Sequence, residues 1–297
     1  MLPRRLRVAV ASAVAVAFAP ALAQAGVVLE GRFLKFQISD LGTIGPGLDE
    51  GFGIVVDPRG GGRHCIDMLN GLRHEGFGVV SDQTGFVENA NGIADLGSGA
   101  VEAIDGGARW TGSFGSLFEI SHTYLFDPHG TRIVIETTIT ALQDLESLAF
   151  VRAVDPSPDA SLELDDTVDP FETDNTRGGA GLSAADRIFG RGPLTGLGLA
   201  LINLTTDYPS NTLIGGECCT TDSPLTVLEG AGAVSPRVER GDFSLQMAWF
   251  IGDLAAGESV TLRYAYQIEV PIEVVEPASL ALLGFGLAAL GLARRRV

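Results

Sequence analysis

Positive charge is scarce in this chain. Lysine occurs once, at Lys35, and 20 basic residues face 37 acidic ones over 297 positions, a net charge of −17. Six of those basic residues are arginines near the two ends (Arg4, Arg5, Arg7, Arg294, Arg295 and Arg296), so the stretch between them is more acidic still. A surface of that sign repels phosphate, which argues against nucleic acid or an anionic membrane surface as partner of the body. It suits a secreted protein or one that collects cations.

Helix-period runs are also missing between the termini, which argues against an α/β arrangement. Nucleotide signatures are absent: Gly60-Gly61-Gly62 lacks the lysine and helix that a phosphate loop requires. No glycine-flanked nucleophile serine and no cysteine–histidine signature stands out. His64-Cys65 and His74-Glu75 match no common zinc spacing, so loop histidines and a disulfide cysteine account for them.

Cysteine is limited to Cys65, Cys218 and Cys219. In an oxidising compartment one pair is expected, with Cys65 bridged to one of the adjacent two. A ring between Cys218 and Cys219 themselves is disfavoured, because neighbouring residues seldom reach disulfide geometry.

The two ends carry the long apolar runs. Arg4, Arg5 and Arg7 precede an apolar stretch over 8–19, and Ala21-Leu22-Ala23 and Ala23-Gln24-Ala25 follow. That order is a secretory signal peptide spanning 1–25. At the other end, Val275-Glu276-Pro277-Ala278-Ser279 leads into an apolar run that closes on Arg294, Arg295 and Arg296. Its uncharged stretch, 278–293, is 16 residues. As a helix it spans about 24 Å, short of the ~30 Å hydrocarbon core unless the arginines snorkel outward. The basic stop would stay cytoplasmic and leave the body outside.

This tail, 274–297, resembles the PEP-CTERM sorting signal of bacterial exported proteins. Val275 stands where that family usually has its first proline, whereas Glu276-Pro277, the Ala278-Ser279 step, the glycines at 284, 286 and 291 and the arginine stop all match. The resemblance implies an exosortase-type processing enzyme as partner. It also implies inner-membrane retention before processing, and a destination at the cell surface or in an exopolysaccharide-rich matrix.

The body, 26–273, is long enough for a large core. Glycine-rich turns and short alternating runs predict an all-β, antiparallel β-sandwich of one lobe or two. Strands are expected at 33–38, 53–57, 77–81, 185–189, 197–204, 243–250 and 260–268. The clearest hairpin pairs 118–126 with 132–141 across the turn Asp127-Pro128-His129-Gly130, and 145–154 is expected to follow as the third strand of a meander. His122, among aromatics on one strand face, reads as a packed histidine.

The acidic segment is the candidate for chemistry. Asp155, Asp159, Asp165, Asp166, Asp169, Glu172 and Asp174 fall within 20 residues. Loop carboxylates suit calcium, although the spacing matches neither an EF-hand nor a glycine-rich nonapeptide repeat. Glu119 and Glu136 read as solvated strand positions. Three roles are therefore expected in order: a non-enzymatic surface or matrix protein in contact with polysaccharide, a carbohydrate-active lyase or hydrolase, and a calcium-stabilised adhesin.

Overall fold

The structure is a computed structural model that describes residues 26–45, 51–71, 74–90, 92–162 and 169–271. The expected signal peptide, the sorting motif Val275 to Ser279, the stop Arg294 to Arg296, and Asp165 and Asp166 lie outside the described residues. Among the described residues no helix is long and apolar enough to cross a membrane.

The described chain is mostly antiparallel β, as its alternating pattern predicts. β1 (Val27–Glu30), β2 (Leu34–Ile38), β3 (Ile54–Val56) and β4 (Ile66–Asp67) form a small sheet in that order. β5 (Glu75–Ser81), β6 (Gly85–Ala90) and β7 (Ile93–Ala94) open a second sheet. β8 (Ala100–Ile104), β9 (Gly107–Phe114), β10 (Phe118–Phe126) and β11 (Arg132–Ala141) open a third. β12 (Leu145–Val154) returns to the second sheet, and β13 (Thr173–Arg177), β14 (Arg187–Arg191) and β15 (Gly198–Asn203) extend the third. β16 (Ser210–Ile214), the short helix α1 (Pro224–Glu229), β17 (Glu239–Gly241), β18 (Leu245–Leu254) and β19 (Ser259–Glu269) complete the body. The third sheet then runs β17-β13-β14-β15-β19-β11-β10-β9-β8, and the second runs β16-β18-β12-β5-β6-β7.

These two sheets face each other. From the nine-stranded sheet, Trp110, Tyr124, Ile135, Leu262 and Tyr264 point inward and are fully buried. They meet Phe77, Phe150 and Trp249 of the six-stranded sheet; Phe77 approaches Trp110 edge-on at 5.4 Å between centroids, and Trp249 lies 5.1 Å from Tyr264. Offset and edge-to-face contacts of this kind add to the area that such rings bury. The same contiguous core takes in Leu34, Phe36 and Ile54 of the small sheet.

The hairpin forms as expected, with Tyr124 opposite Ile135 and Ile120 opposite Ile139. The meander does not continue into β12. β11 takes β19 as its other neighbour, while β12 pairs with β5 and β18. The physical reason is burial on both faces: residues 148–154 are all buried, so β12 belongs at the centre of a covered sheet. Val227 of α1 packs with Val151 and Ala248 on the outer side of that sheet.

Candidate functional site

A pocket of about 260 Å³ opens where β5 begins and β12 ends. The register that sets Val154 opposite Glu75 also brings the residues beyond each strand end together. Asp155 there donates its backbone N–H to the His74 carbonyl at 2.9 Å. Asn70, Gly71, Ser157, Phe171, Cys218, Cys219 and Asp242 supply the remaining walls. Gly71 takes φ +97°, a conformation that side chains rarely adopt, and a Cβ there would sit 2.7 Å from the Phe171 ring.

The chemistry centres on Asp155, which is only 4% exposed. Its Oδ2 accepts the Cys219 N–H at 3.1 Å, and the Cys219 sulfur lies 3.4 Å from the same oxygen. Its Oδ1 is buried and without a hydrogen-bond partner among the described residues. Burial, then the nearby charge of Asp242, raise the Asp155 carboxyl to about 7 against the pull of the Cys219 N–H. Asp242 is itself raised by burial and by the charges of Asp169 and Glu172. His74 is held neutral, its pKa lowered to about 4 by burial although its ring is bonded to the Thr220 backbone. Its Nε2 lies 3.2 Å from Thr221 Oγ1. The pocket thus joins an apolar wall of Phe171 and cystine sulfur to a carboxyl that can give or take a proton near neutrality.

Behind the pocket lies a buried polar network that the sequence did not reveal. Glu75 Oε1 accepts from Arg152 Nε at 2.5 Å and from the Tyr266 hydroxyl at 2.7 Å, and the second guanidinium nitrogen, Nη2, also contacts Oε1. Glu75 Oε2 accepts the Ile44 N–H at 2.6 Å. Burial pushes the Glu75 carboxyl upward, and these donors oppose it. With so many donors on its two oxygens the group is an ionised acceptor, and Glu75 in turn holds the Arg152 guanidinium firmly protonated against its own burial. The Tyr124 hydroxyl accepts from Arg152 Nη2 at 3.1 Å and donates to the Gly42 carbonyl at 2.6 Å. His122 is fully buried, stacks on Trp110 at 5.1 Å and reaches Thr137 Oγ1 at 2.9 Å, a packed histidine as its setting predicts.

One expectation needs correction. Cys218 and Cys219 are bonded to each other, and Cys65 is free and exposed. Cys65 sits beside β4 in the small sheet, whereas Cys219 turns through φ +63° in the loop over Asp155, so the topology never brings the third sulfur to the pair. The acidic segment expected to suit calcium is described only in part, since Asp165 and Asp166 lie outside the described residues. Asp159 is spent on the protein: it accepts Leu194 N–H at 2.8 Å, Thr195 N–H at 2.9 Å and the Thr195 hydroxyl at 2.5 Å. Asp169 accepts the Phe171 N–H at 3.0 Å. Among the described residues, Asp155 clusters with Cys218 and Cys219 rather than with other segment carboxylates. Glu119 and Glu136 lie on the outer face of the nine-stranded sheet, where Glu136 pairs with Arg263 at 3.3 Å.

No family model matches the chain, and no curated protein does. Solved structures match at low likeness. A bacterial glucoamylase complexed with acarbose is 13% identical over 89% of this chain and 35% of its own length, with a TM-score of 0.47. A galactose mutarotase-like protein from Lactobacillus casei is 12% identical over 82% of this chain and 100% of its own, with a TM-score of 0.46. A 4-alpha-glucanotransferase from Thermococcus litoralis is 6% identical over 82% of this chain and 37% of its own, with a TM-score of 0.42. The chain spans about a third of the length of the larger enzymes it matches. Likeness this low transfers neither a residue nor an activity to this chain.

Proposed function

We propose that this is an exported, non-enzymatic protein of the cell surface or extracellular matrix, whose pocket takes a sugar ring of the surrounding polysaccharide. Its N-terminal segment would direct export. The tail Val275 to Ser279 with Arg294, Arg295 and Arg296 would hold it in the inner membrane until an exosortase-type enzyme releases it. The observation that carries the binding role is the pocket itself, in which Asp155, whose Oδ1 has no hydrogen-bond partner among the described residues, stands with Phe171, Cys218 and Cys219. A sugar has matching surfaces, an apolar C–H face for the ring and sulfur and hydroxyls for Asp155 and Asp242. At about 260 Å³ the pocket lies just below the ~300–1,000 Å³ usual for small-molecule sites, room for one ring rather than a chain.

The test is binding of the purified chain to extracellular polysaccharide and its component monosaccharides. Expected is saturable binding that Asp155→Ala and Phe171→Ala each weaken. A chain that associates with neither polysaccharide nor cell envelope would overturn the proposal.

A second reading, a carbohydrate-active lyase or hydrolase, is favoured by one observation. Asp155 and Asp242 share the pocket, burial raises both carboxyls, and the charge of Asp242 raises Asp155 further, so one can keep its proton while the other is ionised. Glycan turnover that Asp155→Asn abolishes would establish it in place of simple binding.

A further inference from the structure

We infer that reducing the Cys218–Cys219 bond turns the pocket into a site for a thiophilic divalent cation, held by both thiolates and the Asp155 carboxylate. The site needs no sugar and stands or falls apart from the binding role. Three observations carry it.

The first is placement. The two sulfurs and an Asp155 carboxylate oxygen lie within 4.8 Å of one another, and Cys219 Sγ is already 3.4 Å from Asp155 Oδ2. Cutting the bond lets the sulfurs part and flank one ion. Second, Asp155 Oδ1 is buried with no donor among the described residues, an acceptor whose desolvation none of them offsets. Third, the negative charge of Asp242 bears on Asp155 and those of Asp169 and Glu172 bear on Asp242, and among the described residues neither Asp155 nor Asp242 has an ion-pair partner. A cation would relieve that repulsion. Thiolate ligands select zinc or cadmium over calcium or magnesium, and three protein ligands beside an open pocket leave the fourth position to water or a further ligand.

The chemistry balances with an external reductant. A phosphine attacks the S–S bond, and water then releases the two thiols and the phosphine oxide. The divalent ion next displaces both thiol protons, and the carboxyl proton where Asp155 carries one.

The experiment titrates the full chain with cadmium ion, with and without a phosphine reductant. It follows the ultraviolet sulfur-to-cadmium charge-transfer band and the protons released. Expected is a saturable band in the reduced chain and in reduced Cys65→Ser, and none in the oxidised chain. The double variant Cys218→Ser/Cys219→Ser should lose the band, and Asp155→Asn should weaken affinity by about tenfold or more. Three results would overturn the inference: no band in the reduced wild type, a band that survives the double serine variant, or an Asp155→Asn affinity equal to wild type. Should the double variant fold poorly, the oxidised-against-reduced comparison and Asp155→Asn still decide the matter.

Discussion

Asp155 meets Cys219 through one oxygen only: Oδ2 accepts the Cys219 N–H at 3.1 Å, and Oδ1 is left buried and unpartnered among the described residues. Glu75, by contrast, is satisfied on both oxygens, while the Glu88 Oε2 oxygen shares the state of Asp155 Oδ1.

Protonation of Asp155 and of His74 should oppose each other in stability. Asp155 is raised to about 7 in the fold, so the stability it contributes is present at acid pH and is lost as pH rises through 7. His74 is lowered to about 4, so its neutral form stabilises fully above the ordinary histidine range and less as pH falls from about 6.5 toward 4. Urea unfolding across that range should show wild type losing ground to Asp155→Asn as pH rises, and losing ground to His74→Gln as pH falls. Two variant curves that run parallel to wild type would remove both assignments.

Breaking the buried ion pair should be costly. Arg152 and Glu75 are both fully buried, so Glu75→Gln or Arg152→Met leaves a charge without its partner. A loss of about 3–5 kcal/mol is expected in denaturant unfolding. The double change to apolar residues should cost less than the sum of the single changes, because no lone charge then remains.

Asp159 should behave as a loop anchor. Asp159→Ala strands the donors of Leu194 and Thr195 and should cost about 3 kcal/mol. Gly192→Ala should destabilise by about 1–3 kcal/mol, since its Cβ would stand within 2.3 Å of Asp159 Oδ1. A calcium chelator should leave the melting temperature unchanged. A fall on chelation would support the calcium reading of the acidic segment.

The pocket wall can be moved without touching its polar groups. Gly71→Ala forces a Cβ against the Phe171 ring and imposes a side chain at φ +97°. Monosaccharide binding should weaken as it does in Phe171→Ala, while the rise of the Asp155 carboxyl persists in the stability profile. Unchanged binding in both variants would show that Phe171 is no part of the site.

Much of the architecture was legible because alternation is a local signal. Val260, Leu262, Tyr264, Tyr266 and Ile268 read as one buried face, and β19 buries all five. β12 was legible as a strand but not in its partner, since a residue run does not say which neighbours cover it. The site was less legible. Asp155 was singled out for its acidic company, yet its working neighbours are His74, Cys218, Cys219 and Asp242, which are scattered along the chain.

The sequence by itself determined the class of the body, its excess of negative charge and the resemblance of its tail, because periodicity, composition and short motifs are properties of neighbouring residues. Only the tertiary structure decided that Cys218 bonds Cys219, that Asp159 is consumed by the loop carrying Thr195, and that Asp155 stands in a pocket with one oxygen unpartnered among the described residues. Those outcomes depend on which donors arrive within bonding distance after two sheets close on one another. Strand pairing sets that across separations of dozens of residues, out of reach of any local pattern.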